Sequence, residues 1–342
     1  MHTRALPLFS NDKSSQRHWI KRKIMKIKSA ILTSVCFILI CALPSLAQQK
    51  GQWVPGQFGL NAGVIPNPGI TYANLAVNYS ASQLNDSNGN RLLQNVTGTY
   101  AFWVDENILY YVPNHKILGG YFMPYISINV ANGSQAADLA PLLPGVGSGF
   151  NLSSGGSGFA DLYVEPINLG WHFAKRVDFN AGYSFLAPTG RYTAGANNNV
   201  GSGYWTHRLS SGQTFYLARE KRLLFSAFQM YEFHTVQEGT GVHPGQTFDL
   251  DYSLMGLVHR TAHLALQVGA TGYEARQTTA RFGPNITPEV SAERYAVNGF
   301  GFALSAAFPE RKANLGFRFF KEFANRSTFQ GYSAQISGAI HF

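Results

Sequence analysis

The stretch TFDLDYSLMGLVH sets Phe248, Leu250, Tyr252, Leu254 and Val258 at one parity, with Asp249, Asp251, Ser253 and His259 at the other. A repeat of two puts successive side chains on opposite faces of a strand, one apolar and one wet. VDFNAGYSFLA repeats it: Val177, Phe179, Ala181, Tyr183 and Phe185 stand opposite Asp178, Asn180 and Ser184. In ANLGFRFFKEF, Leu315, Phe317 and Phe319 oppose Asn314, Arg318 and Glu322. About a dozen such segments cover the chain after residue 70: 71–80, 91–104, 117–130, 158–173, 176–187, 203–218, 222–234, 246–259, 262–277, 293–307, 313–323 and 329–342. Segment 158–173 does not keep one parity, and Pro166 inside it calls for a bulge.

The last segment, YSAQISGAIHF, ends on an aromatic residue with neither charge nor proline to guard an edge. An open terminal strand of this kind invites unwanted pairing. Closing the sheet into a barrel, with the last strand paired to the first, removes the exposed edge. A terminal strand buried in a soluble sandwich is the competing fold. Outer-membrane barrels commonly end on an aromatic residue that the barrel assembly machinery reads, and Phe342 resembles that signal.

The opposite end supports export. Residues 1–28 carry eight Lys and Arg against Asp12 alone, and the apolar run SAILTSVCFILICALPSLA follows. A basic stretch, an apolar core and small residues at Ser45-Leu46-Ala47 describe a signal peptide, cleaved between Ala47 and Gln48. Met25 is an alternative start. An uncleaved anchor is the other reading, although the run is short for a bilayer span and contains Pro44. Ile40 before Cys41 argues against lipoprotein processing.

Removing the leader changes the composition. The whole chain has a formal charge of +9, but residues 48–342 hold 19 Lys and Arg against 17 Asp and Glu, a net of +2. The basic balance therefore belongs to the leader and gives no support to nucleic-acid binding. Both cysteines, Cys36 and Cys41, go with it, leaving no disulfide, thiolate nucleophile or Cys-ligated metal. No second long apolar run follows Ala47, and mean hydropathy is −0.09. Averages of this kind fit strands with one lipid face and one wet face. The expected layout is an N-terminal extension and signal peptide (1–47), a periplasmic segment (48–70) and an up-and-down antiparallel transmembrane β-barrel of about 12 strands (71–342). Short charged turns at 174–176, 219–221 and 309–312 belong to the periplasmic end. The long Gly-, Pro-, Asn- and Thr-rich connections at 131–157, 188–202, 235–245 and 278–292 belong outside the cell.

DLYVEPINLGWHF, PTGRY, GSGYWTHRLSSGQTFYL and HPGQTFDLDYSL occur in this order, after NPG at 67–69 and DSNGN at 86–90. Together they resemble the phenol-degradation "meta" (MetA-pathway) family, outer-membrane barrels sometimes found near aromatic-catabolism genes. The likeness covers roughly residues 60–342. GSGFADL departs from the family's more compact glycine–aspartate version, which weakens any transfer of ligand preference. The resemblance implies a transporter-like barrel and a pathway association.

The individual motifs carry little chemistry. DSNGN offers Asn-Gly for a hairpin turn; as a calcium loop it has Arg91 where the sixth-position glycine belongs. Trp171 fits an interfacial aromatic belt. His259 and His263 are four apart across a turn, a poor metal pair. GVGSGF at 145–150 reads as a flexible loop. No GxSxG, HExxH or GxxxxGK[ST] is present, and no cofactor is implied. The expected function is a passive outer-membrane channel or transporter for small compounds, hydrophobic or aromatic ones among them. Asp161, Asp178, Asp249, Asp251, Arg318 and Glu322 are the lumen and selectivity candidates. Expected partners are outer-membrane lipids, the assembly machinery and a small molecule that the sequence does not identify. A lipid-modifying barrel enzyme and a plugged structural or adhesive barrel are the alternatives.

Overall fold

The structure, a computed structural model, describes residues 54–91, 98–138, 151–173 and 176–342. Among the described residues, fifteen strands form one antiparallel sheet. They are β1 (Gly69–Leu84), β2 (Gly98–Val112), β3 (Lys116–Ile117), β4 (Gly120–Phe122), β5 (Tyr125–Asp138), β6 (Asn151–Phe159), β7 (Leu162–Phe173) and β8 (Val177–Ala187). There follow β9 (Thr206–Tyr216), β10 (Leu223–His234), β11 (Thr247–Arg260), β12 (Ala265–Gln277), β13 (Ala296–Phe308), β14 (Ala313–Glu322) and β15 (Phe329–His341).

The sheet closes on itself. β15 pairs with β1 from Thr71↔His341 to Leu84↔Phe329, as the terminal alternation requires. β5 meets β7 at Tyr125↔Glu165, Ile126↔Val164 and Ser127↔Tyr163, with β4 adding Tyr121↔Gly170 and Phe122↔Leu169. β3 and β4 are a small hairpin and β6 extends the wall beyond β7, so the closed barrel is 12-stranded. Closure satisfies backbone groups that lipid cannot serve. The outward parity exposes Leu254, Phe300, Phe302, Leu304, Leu315 and Ile336, giving the hydrophobic belt its surface.

Gly69 and Phe342 share one end with the tight turns at Arg219–Lys221 and Pro309–Arg311. Lys312 closes the second turn at φ 46°, and Glu220 and Lys221 are also left-handed. The longer connections lie at the other, extracellular end. The expected bulge is present: pairing of β7 with β8 shifts register between Val164 and Ile167, around Pro166.

Two strands lie further along the chain than their sequence pattern placed them. β2 begins at Gly98 rather than 91, and β5 runs from Tyr125 to Asp138 rather than 117–130. Asp105, Glu106 and Asn107 are three consecutive polar residues that hide the alternation. Glu106 points into the barrel toward Gln57, while Asp105 and Asn107 face out and are held by Asn74 and Tyr72. The segment read as a long loop at 131–157 contains the paired ends of β5 and β6, from Val130↔Phe159 to Asp138↔Asn151. Small and polar residues suffice there because backbone pairing holds the hairpin.

The largest departure concerns the segment before β1. Residues 48–70 read as periplasmic, yet within the described part residues 54–66 run inside the barrel. Phe58 and Ala62 pack against Phe228 and Met230, and Leu60 lies against the Leu224, Met255 and Ala303 cluster. Ile65 joins Val112 and Met123 near the periplasmic end. A sequence of glycines, prolines and scattered apolar residues has no period of its own, so nothing in it announces burial.

Candidate functional site in the barrel lumen

A wall of this many strands leaves a lumen wider than its own inward side chains fill. In the periplasmic half, residues 54–66 occupy the space. Their backbone has no ladder, so the wall must supply partners for its N–H and C=O groups. Asp251 accepts from the N–H of Gly56 at 2.8 Å and of Phe58 at 3.0 Å. Ser253 donates to the carbonyl of Gly59 at 2.7 Å, Asn180 to that of Ala62 at 2.8 Å, and Gln335 to that of Pro55 at 2.8 Å. The N–H of Gly63 donates to the Thr214 hydroxyl at 3.0 Å. Gly63 lies so close to the wall that a Cβ there would sit 2.2 Å from the Asp178 carbonyl oxygen. Gly212 answers from the other side, where a Cβ would sit 2.2 Å from the Ala62 oxygen.

Above this segment the lumen opens into a vestibule of about 300 Å3. Val54 and Pro55 form part of its lining. Tyr79, Tyr100 and Phe102 line one side, their ring centroids 5.0–5.8 Å apart. Glu322 accepts from Tyr79 at 2.7 Å, Tyr273 at 3.1 Å, Asn325 at 3.1 Å and the Gly331 N–H at 2.7 Å. Asp161, at the break between β6 and β7, accepts from the N–H groups of Gly190 and Ser202 and from the Ser202 hydroxyl. It thereby ties the 188–205 connection over the rim. Arg191 fastens the same connection through the carbonyls of Asn198 and Ser157.

All six lumen candidates are buried. Asp161 and Glu322 share the vestibule wall. Asp249 and Asp251 lie two residues apart on β11, where Asp251 grips the inner segment. Asp178 is at the periplasmic end, 2.7 Å from His172 Nδ1 and accepting from the Tyr216 hydroxyl at 2.6 Å. Arg318 donates to Gln335 at 3.2 Å. The candidates are thus spread along the lumen rather than gathered at one constriction. Phe342 is at the periplasmic rim, 67% exposed, its N–H donating to the Ile70 carbonyl at 2.9 Å. Ala47 and Gln48 lie outside the described residues, as does the glycine-rich stretch 145–150.

Sequence pattern missed Glu106, Glu165, Arg208 and Glu232, which are equally buried. Arg208 pairs with Glu232 at 2.6 Å and lies over the Tyr163 ring, 5.2 Å from its centroid. Both alternate correctly with their neighbours in WTHRLSSGQ and FQMYEFH, which was the available signal. The nearest approach to a catalytic arrangement among the described residues is Thr206, His234 and Glu232. Thr206 Oγ1 is 2.9 Å from His234 Nδ1, but the hydroxyl is fully buried and Glu232 is engaged by Arg208 and Thr247.

The minor motifs resolve simply. Asp86 accepts from the N–H groups of Asn88 and Asn90, so DSNGN is a self-contained turn. Those bonds, Asn90's first, hold the Asp86 carboxyl below the usual carboxylate range. His263 meets Glu310 at 2.7 Å, away from any metal arrangement with His259. No group of three or more metal-ligating side chains occurs among the described residues.

A closed antiparallel barrel with a lipid-facing belt, short turns at the end carrying its termini and a narrowed lumen defines an outer-membrane β-barrel of channel-like form. The sequence matches the family described as "Putative MetA-pathway of phenol degradation" over residues 70–337, and the chain belongs to that family. Among solved structures, the COG4313 outer membrane channel from Pseudomonas putida F1 is similar in fold. It has a TM-score of 0.63 at 14% identity, covering 85% of this chain and 100% of that one. The β domain of the Bordetella autotransporter BrkA aligns at a TM-score of 0.49 and 11% identity, over 81% of this chain and 100% of that one. No curated protein sequence matches the chain. The protein resides in the bacterial outer membrane.

Proposed function

We propose that this barrel is a channel for passive uptake of small molecules, and that it is not an enzyme. The observation that carries the reading is the divided lumen: a vestibule of about 300 Å3 in one half and residues 54–66 occupying the other. An inner segment held by scattered hydrogen bonds from β8, β9, β11 and β15 restricts a pore without being part of its wall. Selectivity then rests on the vestibule and on the polar groups flanking the segment, Asp251 and Arg318 among them. The P. putida relative is described as an outer membrane channel, which supports the same reading. The competing reading, a plugged structural barrel, draws on the same segment. Purified full-length protein in planar bilayers distinguishes them. Discrete conductance steps are expected, and a silent membrane despite verified insertion overturns the channel.

Phe342 is proposed as the signal read by the assembly machinery. Its exposure at the rim leaves the ring accessible. Phe342→Asp should lower outer-membrane yield several-fold while leaving the conductance of the protein that does insert unchanged. Normal yield would show that the aromatic ending has no part in assembly.

A further inference from the structure

We infer that the lipid-facing side of β1 and β2 is covered by a second copy of this chain, around a two-fold axis close to Ala76. The starting point is a polar island in the apolar belt. Asp105 and Asn107 on β2, with Asn74 and Asn78 on β1, stand at the outward parity within two residues of the Ala76↔Asp105 pair. Asn74 donates to Asp105 at 2.5 Å and to the Asn107 side chain at 3.4 Å, and Asn107 donates to the other Asp105 oxygen at 3.3 Å. Asn78 takes no part in this network. Exposed apolar side chains enclose the island: Tyr72 and Leu109 toward the periplasm, Trp103 and Tyr332 toward the outside, Ile128 and Ile336 on the flanks. It therefore lies within the hydrocarbon layer and not at a rim. A carboxylate facing lipid is costly, and ionisable groups at that depth mark sites of interaction. A second outward polar group, on β9 and β10, shows the difference. There Gln229 donates to Gln213 at 2.9 Å and accepts from Ser211 at 3.0 Å, so uncharged side chains serve one another.

The island is complementary to itself. Two identical barrels in one membrane are related by an axis along the bilayer normal, which sets equal heights opposite each other. Barrel strands tilt roughly 35–45° from that normal, so the two β1 strands cross at about 80°. The direction from β1 to β2 in one barrel is then nearly parallel to β1 of the other. From the axis, Asp105 is one strand spacing away, about 4.8 Å, and Asn74 and Asn78 are each two residues away, about 7 Å. Each carboxylate therefore meets an asparagine amide of the other copy, whichever way the strands cross. The two carboxylates fall on opposite sides of the axis and stay apart. At the axis, Ala76 has Ala334 and Gly338 as diagonal neighbours on β15, and small residues of this kind let two walls approach closely.

The test is disulfide trapping in outer membranes, using the full-length chain with Cys36 and Cys41 replaced by serine. Ala76→Cys brings two thiols together at the axis and should give a cross-linked dimer on oxidation. Ala181→Cys, outward on β8, should not. Adding Asp105→Leu to Ala76→Cys should cut the cross-linked fraction about fivefold or more, without lowering the yield of barrel, because it removes a charge from the lipid face. Adding Gln229→Leu should leave cross-linking unchanged. The inference is overturned if Ala76→Cys stays monomeric or traps a different protein, or if Ala181→Cys cross-links equally. It is also overturned if Asp105→Leu acts no more strongly than Gln229→Leu. Should Ala76→Cys fail to assemble, the mass of the unaltered barrel, extracted with its lipids into polymer discs, decides. Two chains per disc are expected, and a single chain overturns the interface.

Discussion

The two halves of the lumen solve one geometric problem in different ways. In the periplasmic half, residues 54–66 bring backbone, glycines and the side chains of Phe58, Leu60 and Ile65 into the space. In the extracellular half, aromatic side chains thicken the wall but leave about 300 Å3 empty. The lower half is therefore filled by something separable from the barrel, and the upper half is shaped by the barrel itself. On the proposed channel reading, resistance to flow and selectivity of binding belong to different parts of the chain.

The largest effect should come from deleting residues 54–66. Conductance should rise several-fold in planar bilayers, because the segment rather than the wall sets the narrowest point. Unchanged conductance would mean that the wall below the vestibule already closes the path. Gly63→Leu is a gentler version of the same test. Its side chain would collide with the Asp178 and Thr214 backbone, and overpacking of this kind costs roughly 1–3 kcal/mol. The segment should shift, raising conductance modestly and lowering the melting temperature of the purified barrel. No change in either would show that the close approach at Gly63 is immaterial. Phe102→Ala should do least to conductance, since it enlarges a space that is already open. It should instead weaken the binding of aromatic solutes in the vestibule, and a large rise in conductance would place the restriction at the top.

These halves were unequally visible in the sequence. The wall announced itself through alternation: β10 to β15 follow the pattern closely, and Phe342 sits where a closing strand needs it. Parity also put Asp249 and Asp251 inside with Phe248, Leu250 and Tyr252 outside. β2 was displaced because Asp105 and Asn107 spend polar side chains on the outer face, breaking the rule that lipid-facing positions are apolar. The inner segment was illegible for a different reason. Its partners are Asp251, Thr214, Asn180 and Gln335, each far away along the chain and each on a different strand. Periodicity reports a residue's neighbours within one strand and carries no information about what crosses the lumen. The vestibule shares that obscurity, since Glu106, Asp161 and Glu322 come from three separate parts of the wall.

The attachment of the inner segment at Gly69 also fixes an order of events in folding. Contacts such as Gly56 to Asp251 span 195 residues, and Pro55 to Gln335 spans 280. In an open chain each would require closing a very long loop before any reward. Once β1 and β15 have zipped together, the same partners lie only a short tether away from Gly69, and the entropic cost falls to that of ordering a dozen or so residues. Loop-closure entropy therefore favours forming the wall first and docking the segment into it last. Microscopic reversibility makes the same segment the first part to leave, so the lumen can clear while every strand of the wall stays paired.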